Sequence, residues 1–356
     1  MVNIAHIDAV RVVVGVDTHK DEHVAVAIDK LGAYLGEYRL PTTPAGYASV
    51  ERWAIGLGDV AAFGVEGTGS FGAGLTRFLS GRGRTVVEVI RPDRSTRRRL
   101  GKSDSIDAEA AARSVLAGTS HGSPKSGTHS VEMIRMLKVV KDSAMKARTQ
   151  ATNQVKSLVL TAPAELRLEL DGLSASGLIR RCAGFRPGDV ATPTAAARLA
   201  LRSLARRHRQ LTAELKVVNA ELARITAEVA PALLQAFCVG PDSAAALLIT
   251  AGDNPERLKS ESAFAALCGV SPIPASSGKT NRHRLNRGGD RRANSALHRV
   301  VIVRLRHDER TRMYMARRTA EGMTKTQVIR CLKRYLARVV YTILRSLAHR
   351  HPARAA

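Results

Sequence analysis

The chain has 356 residues, enough for two or three domains with a sizeable core. Lysine and arginine number 56 against 31 aspartates and glutamates, so the net charge is +25. A folded protein this basic repels itself unless an anion neutralises it, and nucleic acid is the commonest such partner. Aromatic residues make up only 4% of the chain, which argues against a membrane-surface role and against single-strand binding by base stacking.

The cysteines and the hydropathy pattern indicate the compartment. No two cysteines have the close spacing of a zinc site, which favours ordinary buried thiols in a reducing compartment. No window approaches 18 apolar residues, and the first residues lack the basic and apolar regions of a signal peptide. We therefore expect a cytoplasmic, nucleoid-associated protein with no membrane partner. The four cysteines are Cys182, Cys238, Cys268 and Cys331.

The first third of the chain alternates short apolar runs with helical patterns. The first three strands follow one another closely, as in an antiparallel meander, whereas helices separate the later ones. This order predicts an α/β domain with an RNase H-like layout over residues 1–117. Strands are predicted at residues 12–16, 24–28, 33–40, 61–65 and 85–90, and helices at residues 45–57 and 70–80 and from Asp104 onward.

A doubly wound nucleotide-binding sheet is the alternative for this region. That fold needs a glycine-rich loop after its first strand to cradle a phosphate. The segment in that place is Asp17-Thr18-His19-Lys20-Asp21-Glu22, which has no glycine. The RNase H-like layout is therefore preferred.

Four carboxylates occupy the positions that a metal-dependent nuclease would need. Asp17 and Glu66 each end a predicted strand, while Asp104 and Asp107 lie three residues apart at the start of a predicted helix and so share one face. Four converging acids repel one another unless cations neutralise them, and a pair of hard divalent ions about 4 Å apart suits phosphodiester chemistry. Taken singly, each acid could be a turn residue or a helix cap.

The middle of the chain is predicted to be helical. A polar linker at residues 118–130 precedes long helices over residues 131–232, interrupted at about residues 162–194. A heptad-like seam predicts a central coiled coil, whose partner could be the helix at residues 131–160 or a second subunit. The seam consists of Ala197, Leu201, Leu204, His208, Leu211, Leu215, Val218, Leu222, Ile225 and Val229.

The last segment, residues 233–356, is expected to be mainly helical. Gly240-Pro241 before a small-residue helix is typical of a helix-hairpin-helix element, although a plain helix cap explains it nearly as well. Further on, Ser276-Ser277-Gly278 lies beside a dense basic cluster that could bind phosphate and help ionise a serine hydroxyl, or could simply be a loop beside a DNA-binding face. The residues expected to contact nucleic acid are Arg97, Arg98, Arg99, Lys102, Lys279, Arg282, Arg284, Arg287, Arg291 and Arg292.

The motifs, taken in order, resemble the DEDD-type transposases of the one-ten family of bacterial insertion sequences. The resemblance covers nearly the whole chain. It is carried by Gly15-Val16-Asp17, Val65-Glu66-Gly67-Thr68-Gly69, Ser103-Asp104-Ser105-Ile106-Asp107-Ala108, Gly240-Pro241, Gly269-Val270-Ser271-Pro272 and Ser277-Gly278. Gly240-Pro241 stands where many relatives have Gly-Ile-Gly.

The resemblance implies a fold and a composite active site. The N-terminal domain would be RuvC-like and hold two Mg²⁺ ions, with Mn²⁺ as an expected substitute, through Asp17, Glu66, Asp104 and Asp107. The C-terminal domain would supply Ser277 as the nucleophile that forms a phosphoserine link to DNA, although the adjacent Ser276 leaves that choice open. Implied partners are double-stranded DNA, a structured non-coding bridge RNA that pairs with donor and target, and further copies of the chain, as a dimer or tetramer through the coiled coil.

Two other functions compete with this recombinase. A RuvC-like, structure-specific nuclease would use water as its nucleophile and leave free ends, with no covalent protein–DNA species. A non-catalytic nucleic-acid scaffold would show no metal-dependent change in DNA topology. The intact set of four acids makes the scaffold the weakest hypothesis.

Overall fold

A computed structural model describes residues 10–89, 103–279 and 282–350, with side chains described as far as residue 347. The chain forms two compact units, and neither is continuous in sequence. The first comprises Met1–Glu132, Thr250–Arg291 and Arg334–Ala356, and the second comprises Met133–Ile249 and Arg292–Lys333. The division into four consecutive segments at residues 117, 130 and 232 stays a prediction, since compactness measures packing and not evolutionary modules.

The N-terminal part of the first unit is a mixed five-stranded sheet. Its strand order is β3-β2-β1-β4-β5, with β1–β2 and β2–β3 antiparallel and β1–β4 and β4–β5 parallel. The predicted strands are thereby confirmed, although Ile90 lies outside the described residues. The strands are β1 (Arg11–Thr18), β2 (Glu22–Ile28), β3 (Tyr34–Pro41), β4 (Asp59–Glu66) and β5 (Val86–Val89).

Three helices belong to this sheet: α1 (Pro44–Leu57), α2 (Ala73–Gly81) and α3 (Asp104–Leu116). Helix α2 begins three residues later than predicted because residues 67–72 form a tight turn, in which the amides of Ser70 and Gly72 both donate to the carbonyl of Gly67. The region is therefore a layered α/β structure, as the sequence predicts.

Strand alternation divides the sheet into two faces, because successive side chains point to opposite sides. Val12, Val14 and Val16 pack in one core with residues of α1 and α2, whereas Val13 packs in the other with Ala108 and Ala112 of α3. Gly15 and Asp17 fall on the face of Val13. On β4, Phe63 and Val65 belong to the first core. By the same alternation, Gly64 and Glu66 point to the other face, the one that Gly15 and Asp17 share.

Two glycines allow α3 to lie unusually close to the sheet. Gly15 and Gly64 are direct partners across the parallel β1–β4 pair. A Cβ added at Gly15 would overlap backbone atoms of Ala108 and Ala112, and one at Gly64 would lie 2.6 Å from Cγ2 of Val115. Helix α3 therefore packs with its backbone directly over this glycine pair.

The rest of the chain is mainly helical. The first unit also contains two short strands, β6 (Ile273–Pro274) and β7 (His283–Arg284), which pair as a small antiparallel hairpin. The remaining helices are α4 (Ser130–Thr161), α5 (Ala164–Leu170), α6 (Ala175–Ala183), α7 (Pro193–Val229), α8 (Pro231–Gln235), α9 (Pro241–Ala251), α10 (Glu261–Leu267), α11 (Arg291–His307), α12 (Glu309–Ala320) and α13 (Lys325–Arg350), with a 3₁₀ turn at Pro255–Arg257.

The second unit has its own core, in which the long helix α7 takes part. Leu201 and Ala205 of α7 pack with Val155 of α4 and with residues of α5 and α6. The two short helices fill the stretch in which the sequence predicted an interruption. Farther along α7, the buried residues continue at steps of three and four: Leu215, Val218, Leu222 and Ile225.

Two further observations bear on the compartment. All four cysteines are free thiols, and Cys182 and Cys268 are buried. Among the described helices, none combines the length and the apolar run that crossing a lipid bilayer would require.

The glycine pair gives the first prediction. In Gly15→Ala, the new methyl group overlaps the backbone of α3, so we expect the free energy of unfolding to fall by at least about 2 kcal/mol. Gly56→Ala in α1 is the matched control, because a Cβ there meets no atom within 4 Å. It should raise stability by roughly 0.5–1 kcal/mol, the usual gain of alanine over glycine in a helix. Urea unfolding followed by circular dichroism measures both, and equal effects would contradict the close packing.

Candidate active site

Two neighbouring parallel strands bring Asp17 and Glu66 to one edge of the sheet. Val16 of β1 pairs with Val65 of β4, and each acid is the next residue along its strand. Both side chains point to the face that α3 covers, by the alternation described above. Asp17 is 8% exposed and Glu66 is 7% exposed, so both acids are largely withdrawn from water.

Helix α3 brings the other two acids in its first turn. Ser103 caps the helix, its hydroxyl accepting a hydrogen bond from the amide of Ile106 at 3.2 Å. Asp104 and Asp107 follow the cap, and Asp107 is only 6% exposed. Because amide groups at a helix N-terminus carry partial positive charge, this turn favours carboxylates. The close contact between α3 and Gly15 determines which part of β1 lies beside the first turn of α3.

Electrostatics show that the four carboxylates share one neighbourhood. The pKa of Asp17 is raised, chiefly because burial penalises its charged form; nearby His19 works in the opposite direction. The negative charges of Glu66, Asp107 and Asp104 each raise the pKa of Asp17 further. Three acids from two other elements therefore act on Asp17, which is the convergence that the sequence pattern predicted.

His19 lies between two of these acids. Its Nδ1 is 3.7 Å from Oδ2 of Asp17, and its Nε2 is 3.9 Å from Oδ1 of Asp104. One ligand atom from each of Asp17, His19 and Asp104 lies within 4.8 Å of the others, a grouping that could hold a metal ion. The four carboxylates offer the hard oxygen donors that divalent ions such as Mg²⁺ prefer. Their mutual repulsion is a cost that a bound cation would relieve.

The turn after Glu66 is tied to a distant part of the chain. Gly67 has a φ of +64°, which favours glycine, and the hydroxyl of Thr68 donates to Oε1 of Glu88 at 3.0 Å. Oε2 of the same carboxylate accepts from Nη2 of Arg257 at 3.3 Å. The side chain of Arg257 is only 11% exposed. A partly buried ion pair therefore joins the edge of the acidic cluster to residues beyond position 250.

Residues 253–257 also hold the polar stretch that precedes α4. Asp253 accepts from the amides of Val131 at 2.7 Å and His129 at 3.3 Å, and so caps the first turn of α4. Asn254 accepts from the amide of Ser126 and donates to the carbonyl of Pro124, each at 3.0 Å. The compact unit that contains the acids also includes Thr250–Arg291, and therefore both candidate serines.

The hairpin distinguishes the two candidate serines. The hydroxyl of Ser276 accepts from the amide of Arg282 at 3.1 Å and donates to the carbonyl of the same residue at 3.4 Å, so it closes the hairpin. Ser277 is exposed and is followed by Gly278, whose φ of +54° permits a sharp turn. Within the part of the chain that the structure describes, no contact joins Ser277 to the four carboxylates.

The predicted nucleic-acid-binding residues fall into two groups. Arg97, Arg98, Arg99 and Lys102 lie outside the described residues. The others are exposed, and Arg292 pairs with Asp142 at 3.4 Å. This exposed group consists of Lys279, Arg282, Arg284, Arg287, Arg291 and Arg292.

Sequence reasoning missed several residues that shape this site. A signal for the glycine pair was present, because Gly15-Val16-Asp17 and Gly64-Val65-Glu66 repeat the pattern glycine, valine, acid. His19 stands two residues after a strand-end acid, which is a weak signal by itself. Arg257 and its partner Glu88 had no local signal, since 169 positions separate them.

Comparisons with known families agree with the order of these elements. A family model for DEDD transposases of the IS110 type, described as "Transposase", matches residues 14–162. A second model, described as "Transposase IS116/IS110/IS902 family", matches residues 230–316. The first model covers all four acids, and the second covers both candidate serines.

A curated relative is also similar to part of the chain. The "Insertion element IS900 uncharacterized 42 kDa protein" of Mycobacterium paratuberculosis is 31% identical over 110 residues. This match covers 31% of the present chain and 28% of that protein. The chain therefore spans less than a third of the curated relative that it matches.

The raised pKa of Asp17 predicts how stability depends on pH in metal-free protein. The folded state keeps the Asp17 proton to a higher pH than the unfolded chain, so ionising Asp17 costs folding free energy. That cost is absent at pH values below the ordinary pKa of 3.8 and grows as the pH rises through the higher folded-state value. Asp17→Asn should therefore be more stable than the wild type at neutral pH, by on the order of 1 kcal/mol.

Urea unfolding in the presence of a chelator, at a series of pH values, measures this difference. The gain should shrink toward zero as the solution is acidified. Asp59→Asn is a suitable control, because Asp59 is exposed at the start of β4 and should change stability little at any pH. A loss of stability in Asp17→Asn at neutral pH would contradict the repulsion among the acids.

Proposed function

The chain belongs to the IS110 family of transposases, and from this premise we propose that it is the recombinase of an insertion sequence, cutting and rejoining DNA through a phosphoserine intermediate. The observation that carries the proposal is the convergence of Asp17, Glu66, Asp104 and Asp107 at one edge of the sheet. The strand order β3-β2-β1-β4-β5, with an antiparallel first part and a parallel second part, supports an RNase H or RuvC-like domain.

Two Mg²⁺ ions, with Mn²⁺ as a substitute, are the proposed cofactors of the acidic cluster. Asp17, Glu66, Asp104 and Asp107 would hold them, and the burial and the neighbouring negative charges that together raise the pKa of Asp17 support this fit. When bound, such ions stabilise negative charge that develops on a phosphate and promote loss of a proton from an attacking hydroxyl. The helix N-terminus of α3 and the burial of Asp107 hold the ligands in place without further ordering.

Ser277 is the proposed nucleophile. Both serines are exposed, and the choice is supported by the use of the Ser276 hydroxyl in hydrogen bonds within the hairpin. The Ser277 oxygen would lose its proton and form a bond to phosphorus, while one P–O ester bond of the DNA breaks and the leaving oxygen gains a proton. The new phosphoserine ester preserves the energy of the broken diester. A DNA end can therefore attack it, rejoin the strand and release the serine without an external energy source.

The proposed partners are double-stranded DNA, a structured bridge RNA and further copies of the chain. The net charge of +25 and the exposed arginines from position 282 to 292 support contacts with polyanions. The buried steps of three and four along α7 support a coiled coil and assembly as a dimer or tetramer. An enzyme with these partners would act in the cytoplasm, at the nucleoid.

A water-using, RuvC-like nuclease is the second candidate. It is favoured by the lack, among the described residues, of any contact between Ser277 and the acids. In that enzyme the acidic cluster alone would cut DNA, and both serines would be dispensable.

The paired serine variants separate these two functions. Ser277→Ala should abolish the covalent protein–DNA species and lower the rate of strand exchange by at least about 100-fold, since no other described group replaces its oxygen. Ser276→Ala is the matched control and should retain the covalent species, because it removes a hairpin hydrogen bond and not the nucleophile. A radiolabelled DNA substrate and denaturing gel electrophoresis measure the adduct. Unchanged cutting by Ser277→Ala would favour the nuclease.

Sequencing of the RNA that co-purifies with the protein tests whether a bridge RNA is its partner. The protein is expressed together with the native DNA that flanks its gene, and the bound RNA is extracted and sequenced. We expect one discrete, structured RNA that maps to those flanks. A heterogeneous set of cellular RNAs would mean that the positive charge binds RNA without selection, and would contradict RNA guidance.

A further inference from the structure

We propose that His19 is a ligand of one of the two metal ions, and that the position held by Asp17, His19 and Asp104 is therefore the one at which Mn²⁺ replaces Mg²⁺ most readily. The inference rests on the proposed function of the acidic cluster as a metal centre. It assigns a role to a side chain outside the four family acids.

The position of the His19 ring is the first observation that supports metal binding by this residue. The imidazole faces acids from two different elements, with Nδ1 3.7 Å from Asp17 and Nε2 3.9 Å from Asp104. Both distances exceed those of hydrogen bonds and fall at the long end of ion pairs, so the ring lies beside the two acids without a short bond to either. Ligands about 2.1 Å from a common ion lie at most about 4.2 Å apart. Only one ring nitrogen can bond to the ion; one nitrogen and one oxygen from each acid lie within 4.8 Å of one another, so side-chain shifts of about 1 Å would bring them around a common ion.

The backbone around His19 is held while its side chain stays accessible. The amide of His19 donates to Nδ1 of His23 at 3.3 Å, and His23 is fully buried and stacked on Tyr47. The hydroxyl of Thr18, on the other side, donates to the carbonyl of Glu66 at 2.9 Å. The side chain of His19 is 54% exposed. A fixed backbone with an open ring is suited to binding something from solution.

The donor chemistry determines the metal preference. Mg²⁺ and Mn²⁺ are both held mainly by oxygen ligands, but affinity for donors such as imidazole rises along the transition series that begins with Mn²⁺, so a nitrogen ligand favours Mn²⁺ over Mg²⁺ and later metals more strongly still. The group of Asp17, His19 and Asp104 provides two carboxylates and one imidazole. The other two acids of the cluster, Glu66 and Asp107, provide oxygen alone. The two proposed ion positions therefore differ in chemistry, and only one includes a nitrogen donor.

Pulsed electron paramagnetic resonance tests the assignment on the full-length protein without a histidine tag. One equivalent of Mn²⁺ is added, and electron spin-echo envelope modulation detects nitrogen nuclei bonded to the ion. We expect a directly bonded ¹⁴N signal in the wild type that is replaced by a ¹⁵N signal when histidine is ¹⁵N-labelled. His19→Ala should lose the signal and weaken Mn²⁺ binding by about tenfold, the size expected for loss of one contribution to a metal site. Its Mg²⁺ affinity should change by less than about twofold.

His298→Ala is the matched control, because His298 is an exposed histidine of α11 in the second unit. It should retain both the nitrogen signal and the Mn²⁺ affinity. Bound Mn²⁺ without a nitrogen signal in the wild type would overturn the role of His19 and leave the acidic metal centre intact. Failure of the wild type to bind Mn²⁺ or Mg²⁺ at all would overturn the metal centre itself, and His19 with it.

Discussion

The close packing of α3 against Gly15 and Gly64 is the constraint on which the acidic cluster depends. Two paired glycines remove the side chains that would normally keep a helix about 10 Å from a sheet, so the α3 backbone comes down onto the strands. The helix then starts beside the strand ends, and its first two acids arrive where Asp17 and Glu66 already lie. A bulkier residue at either glycine would move the helix and, with it, two of the four acids.

Gathering the four acids at one place suits the proposed chemistry but lowers the stability of the metal-free fold. Burying several carboxylates together costs free energy, as the raised pKa of Asp17 shows, and most proteins avoid it. The partial positive charge at the start of α3 offsets part of that cost. The large positive net charge of the chain lies mostly on residues that face solvent and so does little for buried acids, because water and salt screen exposed charges. What remains is a cost that a cation bound among the acids would reduce.

Local pattern was enough to predict the α/β layout of the N-terminal region and the mainly helical character of the rest. The strands, α1 and the start of α3 were predictable because periodicity and capping depend on neighbouring residues, as with Ser103 before α3 and the apolar run that precedes Asp17 in β1. The contact of Gly15 with Ala108 and the pairing of Glu88 with Arg257 were not, because each joins residues far apart in sequence. The choice between Ser276 and Ser277 likewise required knowing that the hairpin brings Arg282 back to Ser276.

The capping of α4 by Asp253 has a consequence for the order in which the chain folds during translation. The first turn of this helix contains Val131, and its capping carboxylate lies more than 120 positions later in the chain. The sheet with its four acids can form as soon as α3 has left the ribosome, because every strand it needs has by then been made. The serine-bearing segment docks only after about 160 further residues have emerged. During translation, a nascent chain therefore passes through a stage in which the four acids can already lie together and neither candidate serine has been made.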